Sequence, residues 1–171
     1  MRWLLMLILI GGLMSCATTP HPVVEKVDLP RFMGDWYVVG ILPNPIENNA
    51  RNGIERYTLN ADSTIAISYT FANHRHPDKI TALAARARVH DAGSNAEWRV
   101  QFFRPFWFPY LVVDLAPDYR YTVIGVPNRK FVWIMSRSSS LAEDDWLQIL
   151  TKLKSLGYKT AKIRRMPQIW E

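Results

Sequence analysis

Between Trp36 and Arg137 the chain is cut into short runs rich in Val, Ile, Tyr, Phe and Trp, separated by Asn, Asp, Gly and Pro. This rhythm constrains the fold more than any other feature, because runs of that length bounded by turn formers read as β-strands. The strands are expected at 34–42, 53–60, 64–71, 80–90, 97–103, 110–116, 119–126 and 130–136. Connectors such as Ala61-Asp62-Ser63, Asp91-Ala92-Gly93-Ser94-Asn95 and Pro127-Asn128-Arg129 have turn chemistry. Eight strands on tight turns predict an all-β antiparallel meander. Closed on itself, it becomes an up-and-down β-barrel with no exposed edge and an interior wide enough for one small ligand. A two-layer sandwich with a solid core fits the same rhythm.

One helix follows. Trp146, Ile149, Leu150, Leu153 and Leu156 recur along one face, Ser140 and Glu143 stand at the capping-box spacing, and Gly157 offers a stop. A single apolar stripe needs a surface to lie on, and the outside of a barrel supplies one. The segment YKTAKIRRM (158–166) predicts a short final strand at the barrel's side.

Cys16 is the only cysteine, so no disulfide forms within the chain. Ahead of it lie Met1-Arg2 and an uncharged stretch from Trp3 to Met14, a signal-peptide length well short of the roughly 20 residues that span a bilayer. Leu13-Met14-Ser15-Cys16 resembles a bacterial lipobox, which implies cleavage before Cys16, a lipid on its sulfur and an acylated new N-terminus. The alternative is an ordinary leader cysteine. Three segments follow from this: a lipoprotein signal peptide (1–15), an acylated N-terminus with a polar, proline-containing tether (16–26), and one folded domain with its helix and final strand (27–171). More than one acyl chain is needed for stable anchoring, and a lipoprotein anchor carries them. Ala17, rather than Asp, after the cysteine implies sorting to the outer membrane, on its periplasmic face.

The stretch VDLPRFMGDWYVVG resembles the opening signature of the lipocalins, with Gly34-x-Trp36 at its centre. A second signature, an Asp-Tyr pair at a late hairpin, is matched by Asp118-Tyr119, and a third, an arginine ending the eighth strand, by Arg137. With FFRPFWFPYLVVDL and the lipobox, the chain is most similar to bacterial outer-membrane lipocalins over about 13–167. The resemblance implies an eight-stranded calyx with the helix packed outside, and Arg137 stacked on Trp36 to shut one end. The chain departs from that group after Trp36-Tyr37, where Val38 and Gly40 replace the usual acidic residue and alanine.

If Trp36 points inward, period two carries Val38, Gly40 and Leu42 inward as well. Phe131, Trp133 and Met135 share a face with Arg137, and Trp98, Val100 and Phe102 share a face of the fifth strand, although the opposite phase there would turn Phe103 in. Tyr69 and Tyr121 offer hydroxyls to a headgroup. Arg86 and Arg88 alternate with Ala85, Ala87 and Val89, and either attract an anionic headgroup or sit in solvent. The loop RPFWFPY, with Phe106, Trp107 and Phe108, is too aromatic for an ordinary surface loop. It reads as part of a ligand mouth, as a homodimer contact, or as a wedge into a membrane.

No catalytic set, cofactor motif or phosphate loop is found, and the net charge of +6 is scattered without a nucleic-acid stripe. His74 and His76 supply two of the several ligands a metal site needs. The function expected is a non-enzymatic lipoprotein that binds and stores or transports a single-chain lipid, a fatty acid or lysophospholipid, for membrane maintenance. The alternative is a solid-core envelope module that binds a protein.

Overall fold

In the computed structural model, which describes residues 22–170, eight antiparallel strands form a closed barrel. They are β1 (Gly34–Ile41), β2 (Ala50–Leu59), β3 (Ile65–Asn73), β4 (His76–Val89), β5 (Glu97–Gln101), β6 (Phe108–Leu115), β7 (Tyr121–Gly125) and β8 (Val132–Ser136). Each pairs with the next, and β1 pairs with both β8 and β2. That closure sets the sandwich aside. Cys16, the signal peptide and the tether as far as His21 lie outside the described residues.

The barrel separates two apolar clusters. One fills its interior and includes Trp36, Val38, Tyr57, Trp98, Val112 and Met135. The other lies outside, where Val39, Leu42, Val113, Val123 and Ile134 meet Trp146, Ile149 and Leu153 of α2 (Glu143–Ser155). Ion pairs bind this helix to the wall: Arg120 to Asp145 and Lys152 to Asp114, each at 2.6 Å, and Arg165 to Glu143.

The expectation for β1 is corrected in its upper half. Val38 pairs with Met135 and Gly40 with the adjacent Ile134, so Val39 is an extra residue and the strand bulges. The bulge reverses the phase. Trp36, Val38 and Ile41 belong to the interior cluster, whereas Leu42 belongs to the outer one. Gly40 also turns outward: a Cβ on it would stand 2.7 Å from the Trp146 ring, so glycine is what lets the helix lie this close.

The helix ends as its glycine indicates but does not start with the expected box. Its N-cap is Ala142, with no side-chain bond, and Glu143, Asp144 and Asp145 place negative charge in the first turn instead. Ser140 contributes its carbonyl, which accepts from Ser136 Oγ at 3.2 Å. At the other end Gly157 adopts φ +84°, Tyr158 N–H donates to Leu153 O and Gly157 N–H to Lys154 O, a Schellman motif. The last expected strand shrinks to β9 (Arg164–Arg165) after a 3₁₀ turn over Thr160–Lys162, and β9 pairs with Gly40 and Ile41 of β1.

One end of the barrel is shut by the N-terminal segment and α1 (Leu29–Phe32). Val27, Phe32 and Trp36 have no solvent exposure. Trp36 Nε1 donates to Phe32 O at 2.8 Å, and the Arg137 guanidinium lies 3.7 Å from the indole centre. That guanidinium also donates to Asp35 O, Arg31 O and Phe32 O. Gly34 adopts φ +92°, a left-handed angle that favours glycine. Tyr119, at φ +64°, accepts from Asp28 N–H through its hydroxyl and carries Arg31 over its ring, while Asp118 accepts from Arg120 N–H. Gly34, Trp36, Tyr119 and Arg137 thus meet at the closed end, while Asp118 bonds to Arg120 in the neighbouring β6–β7 turn.

Candidate functional site

At the opposite end a cavity of about 700 Å³ opens between the connections β1–β2, β5–β6 and β7–β8. Ile67, Leu83, Ala85 and Val100 line its walls, and Tyr110 closes it from below, with Trp98 stacked behind at 5.8 Å.

Of the residues singled out in the sequence, Tyr69, Val100, Phe102, Phe108, Phe131 and Trp133 line this cavity. Val38, Trp98 and Met135 point inward but are packed into the interior cluster and are not part of the cavity wall. Gly40 and Leu42 face outward because of the bulge. Tyr121 also lies in the outer cluster, under the Arg120 guanidinium. The loop divides three ways: Phe108 faces in, Phe106 sits on the rim against Phe103 at 5.7 Å, and Trp107 packs outside beneath Arg88 at 4.1 Å. Arg86 and Arg88 are exposed.

The mouth is markedly apolar. Ile46, Phe102, Phe103, Phe106, Phe108 and Phe131 are all large and all more than a third exposed. Ring contacts at 5.7–6.2 Å join Phe102, Phe103, Phe106 and Phe108 into one aromatic patch.

Deeper in the site are polar residues that the sequence did not single out. Glu47, from the β1–β2 connection, is 4% exposed and accepts from the Tyr69 hydroxyl at 2.7 Å, from Trp133 Nε1 at 3.0 and 3.1 Å, and from Asn44 Nδ2. Glu55, on β2, is 8% exposed and accepts from the Tyr110 hydroxyl at 3.3 Å. The Tyr57 and Tyr110 hydroxyls are themselves hydrogen-bonded, so Tyr57 can donate to Tyr110 and Tyr110 to Glu55. Burial pushes the Glu55 carboxyl up to about 7; the Tyr57 hydroxyl opposes this and the neighbouring Glu47 charge adds to it. Burial raises Tyr57, Tyr69 and Tyr110 as well, reinforced at Tyr57 by Glu55 and at Tyr69 and Tyr110 by both glutamates, which keeps them as neutral donors. Among the described residues that line the cavity there is no Lys, Arg or His.

Residues 27–168 match the family model described as a lipocalin-like domain. Temperature-induced lipocalin-1 of Arabidopsis thaliana is 31% identical over 158 residues, covering 85% of this chain and 82% of its own. The outer membrane lipoprotein Blc of Citrobacter freundii is 26% identical over 155 residues, covering 87% and 86%. Among solved structures, insecticyanin of the tobacco hornworm Manduca sexta superposes with a TM-score of 0.67 at 17% identity, over 89% of this chain and 85% of its own. Lobster apocrustacyanin A1 gives 0.67 at 16%, over 89% and 94%. At such identities the two structures speak for the fold alone.

Proposed function

The chain belongs to the lipocalin family, and we propose that its barrel binds a single-chain lipid, a fatty acid or a lysophospholipid, and stores it or carries it unaltered at the outer membrane. The observation that carries this reading is the cavity of about 700 Å³ behind an aromatic mouth. A barrel of eight strands has room for one small ligand and would be crowded by paired tails. Removing apolar surface from water contributes roughly 25 cal/mol per Å², enough for a long tail to reach micromolar binding after ordering costs. The cavity also weighs against the solid-core alternative.

The test is native mass spectrometry of the full-length protein, purified from membranes and held in amphipol. Palmitate or a lysophospholipid should add one mass per chain and leave it unchanged in composition. If no single-chain lipid is retained or taken up, the protein-binding alternative replaces this reading.

The resemblance of Leu13-Met14-Ser15-Cys16 to a lipobox supports a membrane anchor, and the relatives named outer membrane lipoproteins support an outer-membrane location. Cys16→Ser is expected to leave an uncut precursor that incorporates no labelled fatty acid. Undiminished label in the variant would overturn the anchor.

A further inference from the structure

The polarity of the cavity runs opposite to what a lipid with its tail buried and its head in water would need. Apolar side chains crowd the mouth, where Ile46, Phe103 and Phe106 are each more than half exposed. The two carboxyls lie inside, on walls that hold no cationic residue among those described. Glu55 accepts from the Tyr110 hydroxyl at 3.3 Å, with the Tyr57 hydroxyl beside it. A carboxylate can accept about four, so Glu55 keeps acceptor capacity facing the cavity it lines.

We propose that this cavity takes a single-chain amphiphile head first, and that the head is a cationic amine, held by Glu47 and Glu55 while the chain runs out along the aromatic mouth. The proposal rests on the reading that the barrel binds a single-chain lipid; it keeps the single chain and puts a cationic amine head in place of a fatty acid's carboxylate. An ammonium group brings the positive charge that both glutamates lack and the further hydrogen-bond donors that Glu55 has room for, and charge-assisted bonds in a water-poor site are the strong ones. A carboxylate head at the same depth meets two acids and no compensating cation, and burying such an unpaired charge is costly. The groups facing Glu55 and Glu47 are Tyr57 of β2, Tyr69 of β3, Tyr110 of β6, Trp133 of β8 and Asn44 of the β1–β2 connection, all neutral donors. With Glu55 at about 7, an amine finds more of its partner ionised at pH 8 than at pH 5.5, and its affinity should rise with pH over that range.

The experiment compares dodecylamine, dodecanol and dodecanoate at pH 8 on the full-length protein in amphipol. Binding is read by tryptophan fluorescence and by native mass spectrometry. Dodecylamine should bind at least about tenfold more tightly than dodecanoate, with dodecanol between them. In Glu47→Gln/Glu55→Gln the gap between amine and acid should close to within about threefold while dodecanol is unchanged. Dodecanoate binding as tightly as the amine to the unmodified protein overturns the proposal and leaves the lipid-binding reading standing. If none of the three binds, both fall.

Discussion

Trp36→Ala is expected to lower the unfolding free energy by about 3–5 kcal/mol, the range for truncating a buried aromatic. The indole is fully buried, 5.2 Å from the Phe32 ring centre on one side and beneath the Arg137 guanidinium at 3.7 Å on another. Its Nε1–H satisfies the Phe32 carbonyl. Truncation leaves a gap where α1, β1 and the end of β8 meet, and strands held by ladder bonds on both sides cannot collapse into it. Urea denaturation measures the loss, and a change below about 1 kcal/mol would mean that the closed end does not depend on this residue. Arg137→Ala should be costly too, because its guanidinium donates to the carbonyls of Asp35, Arg31 and Phe32 as well as covering the ring. Those carbonyl bonds do not need the indole. In a double-mutant cycle the coupling should therefore be only the stacking part, about 0.5–2 kcal/mol, and Arg137→Ala should still destabilise a chain that lacks Trp36.

The fold was legible where local pattern and tertiary role coincide. Alternation and turn chemistry located all eight strands, and the spacing of Trp146, Ile149 and Leu153 located the helix and its buried face. What period two could not supply was the phase beyond a bulge. Nothing in WYVVGIL announces that Val39 is an extra residue, so alternation alone puts Gly40 and Leu42 on the wrong side of the sheet. The capping box failed for a related reason: the spacing between Ser140 and Glu143 is right, yet the helix begins with Glu143 as its first residue. The polar part of the cavity is hidden in the sequence for two reasons. Glu47 sits in the connection PNPIENNA, and how such a segment folds inward depends on its contacts with Tyr69 and Trp133, 22 and 86 residues away. Glu55 was closer to readable, since it shares its strand phase with Tyr57. Hydrophobicity alone would have turned Ile54 inward and sent a glutamate to water. The useful signal was an acid in the same phase as an aromatic, two residues away on one strand.

Glu55→Gln should stabilise the barrel at pH 8 by as much as about 3 kcal/mol and change little at pH 4. The sign follows from linkage. The folded carboxyl is raised from 4.5 to about 7, first by burial. Well below pH 4.5 Glu55 is protonated in the folded and the unfolded chain, and the shift contributes nothing to the comparison. As the pH rises from 4.5 towards 7, the unfolded chain releases this proton and the folded one retains it, so the unfolded state binds fewer protons and stability declines. Above about 7 both states are ionised and the full penalty persists. Glutamine keeps the size and the acceptor for Tyr110 but cannot ionise, so the penalty disappears. Any constant cost of the amide shows at pH 4, and only the change between the two pH values reports on ionisation. Paired urea denaturations of the two proteins across this range isolate Glu55, because every other titrating group is common to both. Parallel curves would mean that water solvates this carboxyl in the folded protein. A divergence above pH 5 would mean that the barrel retains a destabilising acid on its cavity wall, and such a group is expected where binding a complementary cation recovers the loss. On that account an amine ligand should stabilise the unmodified protein at pH 8 more than it stabilises Glu55→Gln.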